Sequence, residues 1–183
     1  MTHTPKHFST ETKPRLRRWP LIALLVFGLP WLVPQNPVNP VQGASPRDWN
    51  PRSFWYEPWG VSGVHKGIDI FASAGTPAQA PVPGWVLYSG SLGIGGNVVL
   101  LLGPRWRLHY LAHLQSVDVS PLTPVWRGSE VGRVGSSGNA AGKPPHLHYA
   151  ILSLLPRPWA ASDETQGWKK MFFIDPGQFL QAR

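Results

Sequence analysis

The chain contains no cysteine. Disulfide bonds and thiolate metal sites are therefore excluded, and histidine and carboxylate side chains are left as the strong metal ligands. Charged residues are scarce, at 14% of the chain, and no stretch shows the sustained 3.6-residue apolar repeat of a long amphipathic helix. Nineteen glycines and twenty-one prolines instead favour short strands and turns, so the composition predicts a mostly β fold.

With 183 residues, of which 42% are hydrophobic, the chain can form one compact domain with its own core and a short appendage. The formal net charge is +8, and half of this excess lies in the first eighteen residues, where five Lys and Arg face one Glu. The rest of the chain is only mildly basic and has no basic stripe with interleaved aromatic residues, the pattern typical of nucleic-acid binding. Nucleic acid is therefore not an expected partner.

An uncharged run of sixteen residues, 19–34, follows this basic flank. A membrane-spanning helix needs about 20 apolar residues, and Pro30 and Pro34 would end this one early. A positive flank before a short apolar run is typical of an export signal or a signal anchor, which we predict for residues 1–34. No clear cleavage site follows, so removal and retention of the leader both stay open. We expect the remaining chain to lie at the periplasmic face of the inner membrane or elsewhere in the cell envelope, with the membrane as a partner if the leader is retained.

Residues 35–53 are polar and rich in proline, which predicts a stiff, extended linker. The folded domain is then expected to occupy residues 54–183. Clusters of glycine, proline and serine divide it, and residues 153–173 resemble a less ordered excursion. The segments between these clusters are predicted to be strands, namely Trp85–Tyr88, Val98–Leu102, Trp106–Leu111 and His146–Leu152.

Five of the seven histidines fall between residues 65 and 148. On a strand, alternate side chains share a face, so His146 and His148 would project from the same side of a sheet. Two imidazoles side by side suit metal binding or paired proton transfer, although a surface strand with two solvated histidines has the same pattern. The other face of this strand would be apolar and suited to a core, since it carries Leu147, Tyr149 and Ile151.

A second short pattern places His65 four residues before Asp69. Gly67 and the apolar residues around Asp69 argue against a helix here, so the pattern lies in a loop that enters a strand. A carboxylate among imidazoles would neutralise one of the two charges of a zinc ion. The alternative is that Asp69 caps a turn and His65 is solvated.

Taken together, these patterns resemble the lysostaphin-type (LytM-like) zinc metallopeptidases, which are cell-wall endopeptidases. The resemblance covers residues 54–180 and implies an antiparallel β-sheet domain with a zinc groove. It also implies one Zn²⁺ per chain, with His65, Asp69 and His148 as its ligands. The family's two catalytic histidines correspond to His113 and His146, one as the base and the other as the stabiliser of the oxyanion.

The glycine framework of the family is also present, in Gly75–Pro77, Gly84–Val86, Gly96–Val99, Gly135–Gly138 and the closing Ile174–Pro176. Two departures are visible. Tyr110 lies one place further from His113 than the family's tyrosine, and two prolines rather than one precede His146. His109 has no role in the family pattern, so we expect it to be structural or peripheral.

The resemblance therefore implies a zinc-dependent endopeptidase that hydrolyses peptide crosslinks of bacterial peptidoglycan, in wall remodelling or lysis. A non-catalytic relative that binds the wall or activates an amidase is the alternative, but such relatives typically lose one or more of the five site residues. A periplasmic metal-binding protein would explain the histidines and not the glycine framework. The bond cut, a D-alanyl crosslink or a glycine bridge, and the oligomeric state stay open.

Overall fold

The computed structural model describes residues 18–182. Within that range the chain forms two α-helices and nine strands, joined by turns and short 3₁₀ segments. The helices are α1 (Trp19–Leu32) and α2 (Pro176–Gln181). The strands are β1 (Ile68–Phe71), β2 (Pro77–Gln79), β3 (Gly84–Ser91), β4 (Asn97–Gly103), β5 (Arg107–Val117), β6 (Pro124–Val125), β7 (Glu130–Val134), β8 (His146–Ser153) and β9 (Phe173–Ile174).

These strands form one antiparallel sheet in the order β1-β8-β5-β4-β3-β6. β2 extends the sheet through β7, and β9 lies beside β8. The long strand β5 pairs with β8 as far as Ala112, opposite His148, and then with β7 from Leu114, opposite Val134. The prediction of a mostly β, antiparallel domain is thus confirmed, and each of the four predicted strands lies within or largely overlaps an observed one.

The core lies against one face of the central strands, and its composition follows from their alternation. On β8, Leu147, Tyr149 and Ile151 are fully buried, as the sequence pattern predicts. Their partners on β1, Ile68 and Ile70, are buried with them. The opposite face of the same strands is therefore free to carry polar side chains.

The proline-rich stretch upstream of residue 54 contains several turns and bends between residues 40 and 52, and it is packed against the sheet. Val38 and Gln42 bond through their backbones to Pro81 and Pro77, and Val41 forms a bridge with Ala78. Val41 is 0% exposed and belongs to the core cluster. The packed body of the protein thus includes residues upstream of the predicted domain start, because apolar residues between the prolines find partners on the sheet.

Helix α1 coincides with most of the predicted apolar leader run. Most of the basic flank that precedes it lies outside the described residues. In residues 18–182, no helix combines the length and the apolar character needed to cross a membrane.

The excursion predicted after β8 contains two short 3₁₀ segments, at Pro158–Ala160 and Gly167–Met171. The chain then closes with β9 and α2. Asp175 caps α2, since its Oδ1 accepts hydrogen bonds from the backbone N–H groups of Gly177 and Gln178 at 2.8 and 3.3 Å. This cap and the proline at the first helical position explain the closing Ile-Asp-Pro sequence.

Candidate active site

Three polar atoms converge on the sheet face opposite the core. His148 Nδ1 lies 2.8 Å from Asp69 Oδ1, and His65 Nε2 lies 3.2 Å from the same oxygen. The two imidazole nitrogens are 3.1 Å apart. Ligand atoms bound tetrahedrally at zinc–ligand distances of about 2.0–2.1 Å would be separated by about 3.3 Å, so this donor set fits a metal ion of that size.

Sheet register places two of these side chains. Asp69 on β1 is directly opposite His148 on β8, so both project from the same face. His65 comes from the loop that enters β1, and Gly67 allows this loop to approach β8. A Cβ atom at Gly67 would lie 2.4 Å from the carbonyl oxygen of Tyr149 and 2.9 Å from Cε1 of His148, so only glycine fits here.

A backbone carbonyl sets the protonation pattern of His65. Its Nδ1 lies 3.0 Å from the carbonyl oxygen of Ser53, which can only accept, so Nδ1 donates. In the neutral ring Nε2 then carries a lone pair that faces Asp69 Oδ1. A bound metal ion satisfies the nitrogen and the carboxylate oxygen together.

The electrostatics of the group keep these donors in their metal-binding forms. Burial alone would raise the pKa of the Asp69 carboxyl, but the neighbouring His148 and His65 rings outweigh burial and hold that pKa well below its usual range. Burial lowers the pKa of His148 despite the nearby carboxylate. At neutral pH the group therefore contains an ionised carboxylate and a neutral His148 imidazole, as metal ligation requires.

His113 reaches the site through a break in β5. Regular alternation would place it on the core face together with His109 and Leu111. Instead the β4–β5 register slips at this point, where β5 exchanges β8 for β7, and His113 has a left-handed backbone with φ of 64°. This bulge turns the ring toward the site, where its centroid lies 6.0 Å from that of His148.

His113 and His146 form a pair beside the three converging atoms. Their ring centroids are 5.1 Å apart in an edge-to-face arrangement. Each ring donates through Nδ1 to a backbone carbonyl, His113 to Ser137 at 3.0 Å and His146 to Pro144 at 2.8 Å. In the neutral rings Nε2 is therefore the proton acceptor. Burial, with a smaller contribution from His148 and His146, lowers the pKa of His113 to about 4, so its ring is neutral at pH 7.

A family model described as peptidase family M23 matches residues 63–157, which contain all five of these side chains. This match covers just over half of the chain. The chain belongs to peptidase family M23.

Two curated M23 relatives carry specific names. The chain is 37% identical over 113 residues to an L-Ala--D-Glu endopeptidase of Bacillus subtilis, a match that covers 57% of this chain and 35% of the relative. It is 39% identical over 86 residues to the DD-carboxypeptidase/endopeptidase Mpg of Neisseria meningitidis, covering 47% of this chain and 19% of the relative. The chain thus spans about a third or less of the length of these relatives.

The fold of the M23 domain is shared with a solved structure. The catalytic domain of lysostaphin from Staphylococcus simulans superposes with a TM-score of 0.58 at 24% identity, over 76% of this chain and 99% of that one. At this level of identity the likeness establishes the fold.

A groove of about 400 Å³ leads to the M23 site, and several of the residues that line it were not predicted from the sequence to belong to the site. Trp59 stacks on His65, with ring centroids 4.0 Å apart. Tyr110 lies in the groove because it shares a face with Ala112, which is opposite His148, so the displaced tyrosine has the parity of the site. Lys66 and Lys143 also line the groove. The positions of these residues depend on loop packing and register, which leave no local pattern in the sequence.

His109 is separated from this site, as expected of a structural residue. It is 0% exposed on the core face, where its Nδ1 lies 2.7 Å from the hydroxyl of Tyr149 and its ring packs near Phe179. Burial, with a smaller effect of Arg107, lowers its pKa to about 3. His109 is therefore a neutral core residue of the M23 domain.

Proposed function

We propose that this protein is a zinc-dependent endopeptidase that hydrolyses peptide crosslinks of bacterial peptidoglycan. The observation that carries the proposal is the convergence of His65, Asp69 and His148 within 3.2 Å, beside the paired rings of His113 and His146. Three protein donors leave a fourth position free at a tetrahedral metal ion, which is the arrangement of a catalytic site.

In this proposal His65, Asp69 and His148 hold one zinc ion. When bound, zinc would act as a Lewis acid that polarises a carbonyl group and makes a water molecule more acidic. Ser53 orients His65 through its carbonyl oxygen, so the lone pair of Nε2 faces the ion site. The stacked ring of Trp59 limits the motion of the same imidazole.

His113 and His146 handle the protons of the reaction. Their backbone carbonyl partners fix the ring orientation and leave Nε2 as the acceptor, so one ring can take the proton of the attacking water. The ring that is then protonated can donate from Nε2 to the leaving amine. The other ring can stabilise the oxyanion of the tetrahedral intermediate when it carries a proton on Nε2, because its Nδ1–H is engaged by a backbone carbonyl. Since all five residues are present and assembled, a catalytic role is favoured over a wall-binding or amidase-activating one.

The charge of the groove favours a substrate that carries carboxylates. Lys66 and Lys143 line it, and Asp69 is its one acidic residue within the described chain. Lys66 is held in place by the carbonyl oxygens of Ser62 and Val64, at 2.9 and 3.4 Å, which leaves a third N–H for a ligand. Stem peptides of peptidoglycan carry free carboxylates, whereas a glycine bridge is neutral. We therefore propose a stem-peptide crosslink as the substrate.

We also propose that residues 1–34 direct export of the chain and place the peptidase in the cell envelope. Peptidoglycan is found only there, so the proposed substrate and the predicted leader agree. If the leader is retained, the membrane is a second partner. The peptidase domain then lies close to the membrane, because the residues after α1 are bound to its sheet.

Two variants on one strand face provide the central test. His148→Ala should lower zinc content far below one ion per chain, because a ligand is lost. His146→Ala, two residues away, should keep zinc and reduce release of peptide fragments from purified peptidoglycan by about 10²–10⁴-fold. Zinc content is measured by elemental analysis and cleavage by mass spectrometry. Full zinc occupancy in His148→Ala, or normal cleavage by His146→Ala, would contradict the assignment.

A second test concerns the substrate. Lys143→Gln should raise the KM for a synthetic stem-peptide crosslink with free carboxylates and leave the KM for its amidated form unchanged. Arg133→Gln, at an exposed position on β7, is the matched control. The unsubstituted protein and both variants should cut a pentaglycine bridge poorly. Preferential cutting of the glycine bridge would exclude the stem-peptide proposal and leave the zinc site standing.

A further inference from the structure

Helix α1 presents an apolar surface that the described part of the chain does not cover. None of its fourteen residues is charged, and none is buried. It contacts the domain at the turn between β4 and β5, where the rings of Phe27 and Trp106 are 5.5 Å apart and Trp106 Nε1 donates to the carbonyl oxygen of Phe27. A helix that is apolar on all sides normally lies in a protein core or in a membrane.

The apolar surface of α1 continues onto the domain. A groove of about 560 Å³ runs between the end of the helix and the edge of the sheet. Two exposed tryptophans flank it, Trp85 on β3 (55% exposed) and Trp126 after β6 (79%). Leu29 and Val33 at the end of α1 and Leu102 on β4 also line the groove. Helix and domain therefore share one extended apolar surface, which marks an interaction site.

A basic cavity of about 620 Å³ borders the same β4–β5 turn, since Arg105 and Arg107 line it while Pro104 and Trp106 line the apolar groove. Arg105, Arg107, Arg157 and Lys170 line it, and Asp175, which caps α2, is its one carboxylate within residues 18–182. Lys170 is also paired with Glu164 outside the cavity lining. Among residues 18–182, none of the three arginines has a salt-bridge partner, and Asp175 accepts hydrogen bonds from the backbone of α2.

These guanidinium groups are close enough to repel one another. Burial, followed by the charges of Arg105 and Arg157, lowers the pKa of Arg107 to about 10. Arg107 donates to Gln35 Oε1 at 2.6 Å, and Arg105 lies over the ring of Trp31 at 5.9 Å. The cations are thereby fixed at the base of α1. An anion in the cavity would relieve their repulsion.

We propose that these neighbouring surfaces form a binding face for a membrane of anionic phospholipid. The lipid phosphates occupy the basic cavity, and the acyl region covers α1, Trp85 and Trp126. Charge complementarity selects this partner, since a basic cavity next to an apolar surface matches an anionic head group next to its chains. The inference concerns a surface separate from the catalytic groove and does not depend on the proposed peptidase activity.

The dimensions of α1 explain why the domain would contribute to membrane binding. Fourteen residues reach about 21 Å as a helix, which is short for a hydrocarbon core of about 30 Å. The domain face adds apolar area and charge next to the helix. The chain that follows Leu32 is bound to the domain within a few residues. Gln35 Nε2 donates to the carbonyl oxygen of Pro104, and Arg127 donates to the carbonyl oxygen of Asn36. The domain is therefore held directly against the lipid head groups.

Flotation of the full chain with lipid vesicles tests the proposal. The protein should bind vesicles that contain phosphatidylglycerol more tightly than vesicles of phosphatidylcholine alone, and high salt should reduce the difference. Arg105→Gln should lower affinity for the anionic vesicles about fivefold and leave binding to phosphatidylcholine unchanged. The control is Arg133→Gln, which should have no effect. Arg133 lies on β7 opposite Ser116, at the end of β5 that is far from this turn.

The apolar half of the face is tested separately. Trp126→Ser should weaken binding to both kinds of vesicle, whereas Trp168→Ser, an exposed tryptophan that lines neither cavity, should not. Circular dichroism checks that each variant is folded. Equal affinity for the two lipids, or equal effects of Arg105→Gln and Arg133→Gln, would overturn the head-group site. Lipid-free self-association that Trp126→Ser abolishes would instead assign the groove to a second copy of the chain. Neither result bears on cleavage of peptidoglycan.

Discussion

At the scale of single residues, backbone carbonyl groups organise the site as much as side chains do. His65, His113 and His146 each donate through Nδ1 to a carbonyl oxygen, from Ser53, Ser137 and Pro144. This common arrangement fixes the tautomer that each ring has in its neutral form, in which Nε2 carries the lone pair. Two prolines precede His146, a departure from the family pattern, and the carbonyl oxygen of Pro144 is the acceptor for His146 Nδ1.

The buried His109 predicts a pH-dependent stability that is independent of the metal. Its pKa is lowered to about 3 in the folded protein by burial, while an unfolded histidine titrates near 6.5. Between these values the unfolded chain binds the extra proton, so the free energy of unfolding should fall as pH falls from about 6.5 to about 3. Urea denaturation of the zinc-free protein across this range measures the effect.

The control for this prediction is His109→Gln, which keeps a polar group near the hydroxyl of Tyr149 and removes the titration. Its stability should depend less on pH than that of the unsubstituted chain, since His113 and His148 still contribute. If the two pH dependences are parallel, His109 is not a source of the effect.

At the scale of secondary-structure elements, the bulge in β5 decides whether the rings of His113 and His146 can meet. β5 pairs with β8 as far as Ala112 and with β7 from Leu114, and His113 is the residue between the two pairings. Its φ of 64° is uncommon for a residue other than glycine and costs about 1–2 kcal/mol in a residue with a Cβ. Strained residues are concentrated at functional sites, which agrees with the catalytic role proposed for His113.

This bulge predicts an inverted order of stability for two variants that both lack the imidazole. His113→Gly should be more stable than His113→Ala by about 1 kcal/mol, because glycine adopts the left-handed conformation without strain. In a regular strand the order is the reverse, and Ala112→Gly, one residue earlier, should therefore be destabilising. Chemical denaturation of the three proteins compares them, and a His113→Ala variant at least as stable as His113→Gly would show that the bulge is not strained.

At the scale of the whole molecule, the segment upstream of residue 54 belongs to the packed body. Val41 is buried against Ala78 and contributes to the same core as β1 and β8. Two backbone hydrogen bonds flank it, from Val38 and Gln42 to the segment that contains β2. Helix α1 and the M23 domain are consequently joined by a short, fixed connection and not by a flexible tether.

Truncation should expose this contribution. A chain that begins at Ser45 should be less stable than one that begins at Gln35 by at least the burial of one valine, about 1.5–3 kcal/mol. The full chain with Val41→Ala should show part of the same loss, which separates the effect of the core contact from that of chain length. Equal unfolding free energies for the two truncated chains would show that the segment does not contribute to the stability of the domain.

The fold class and the side chains that share a strand face were predictable from local patterns, whereas the full set of site residues came from the resemblance to a family. Alternation along residues 146–151 correctly predicted a buried face with Leu147 and Tyr149 and a polar face with His146 and His148. His65 and Asp69 were placed in a loop entering a strand, as found in β1. These predictions hold because a strand's two faces follow directly from the order of its residues.

The remaining features were decided by tertiary structure. Alternation alone would place His113 in the core, and only the change of strand partner at residue 113 turns it to the site. The backbone acceptors, the lysines of the groove and the docking of Val41 likewise depend on which segments meet. Local order in a sequence specifies which side chains share a face. Contacts between distant segments specify where that face lies, because backbone groups and strand pairings carry no side-chain signature.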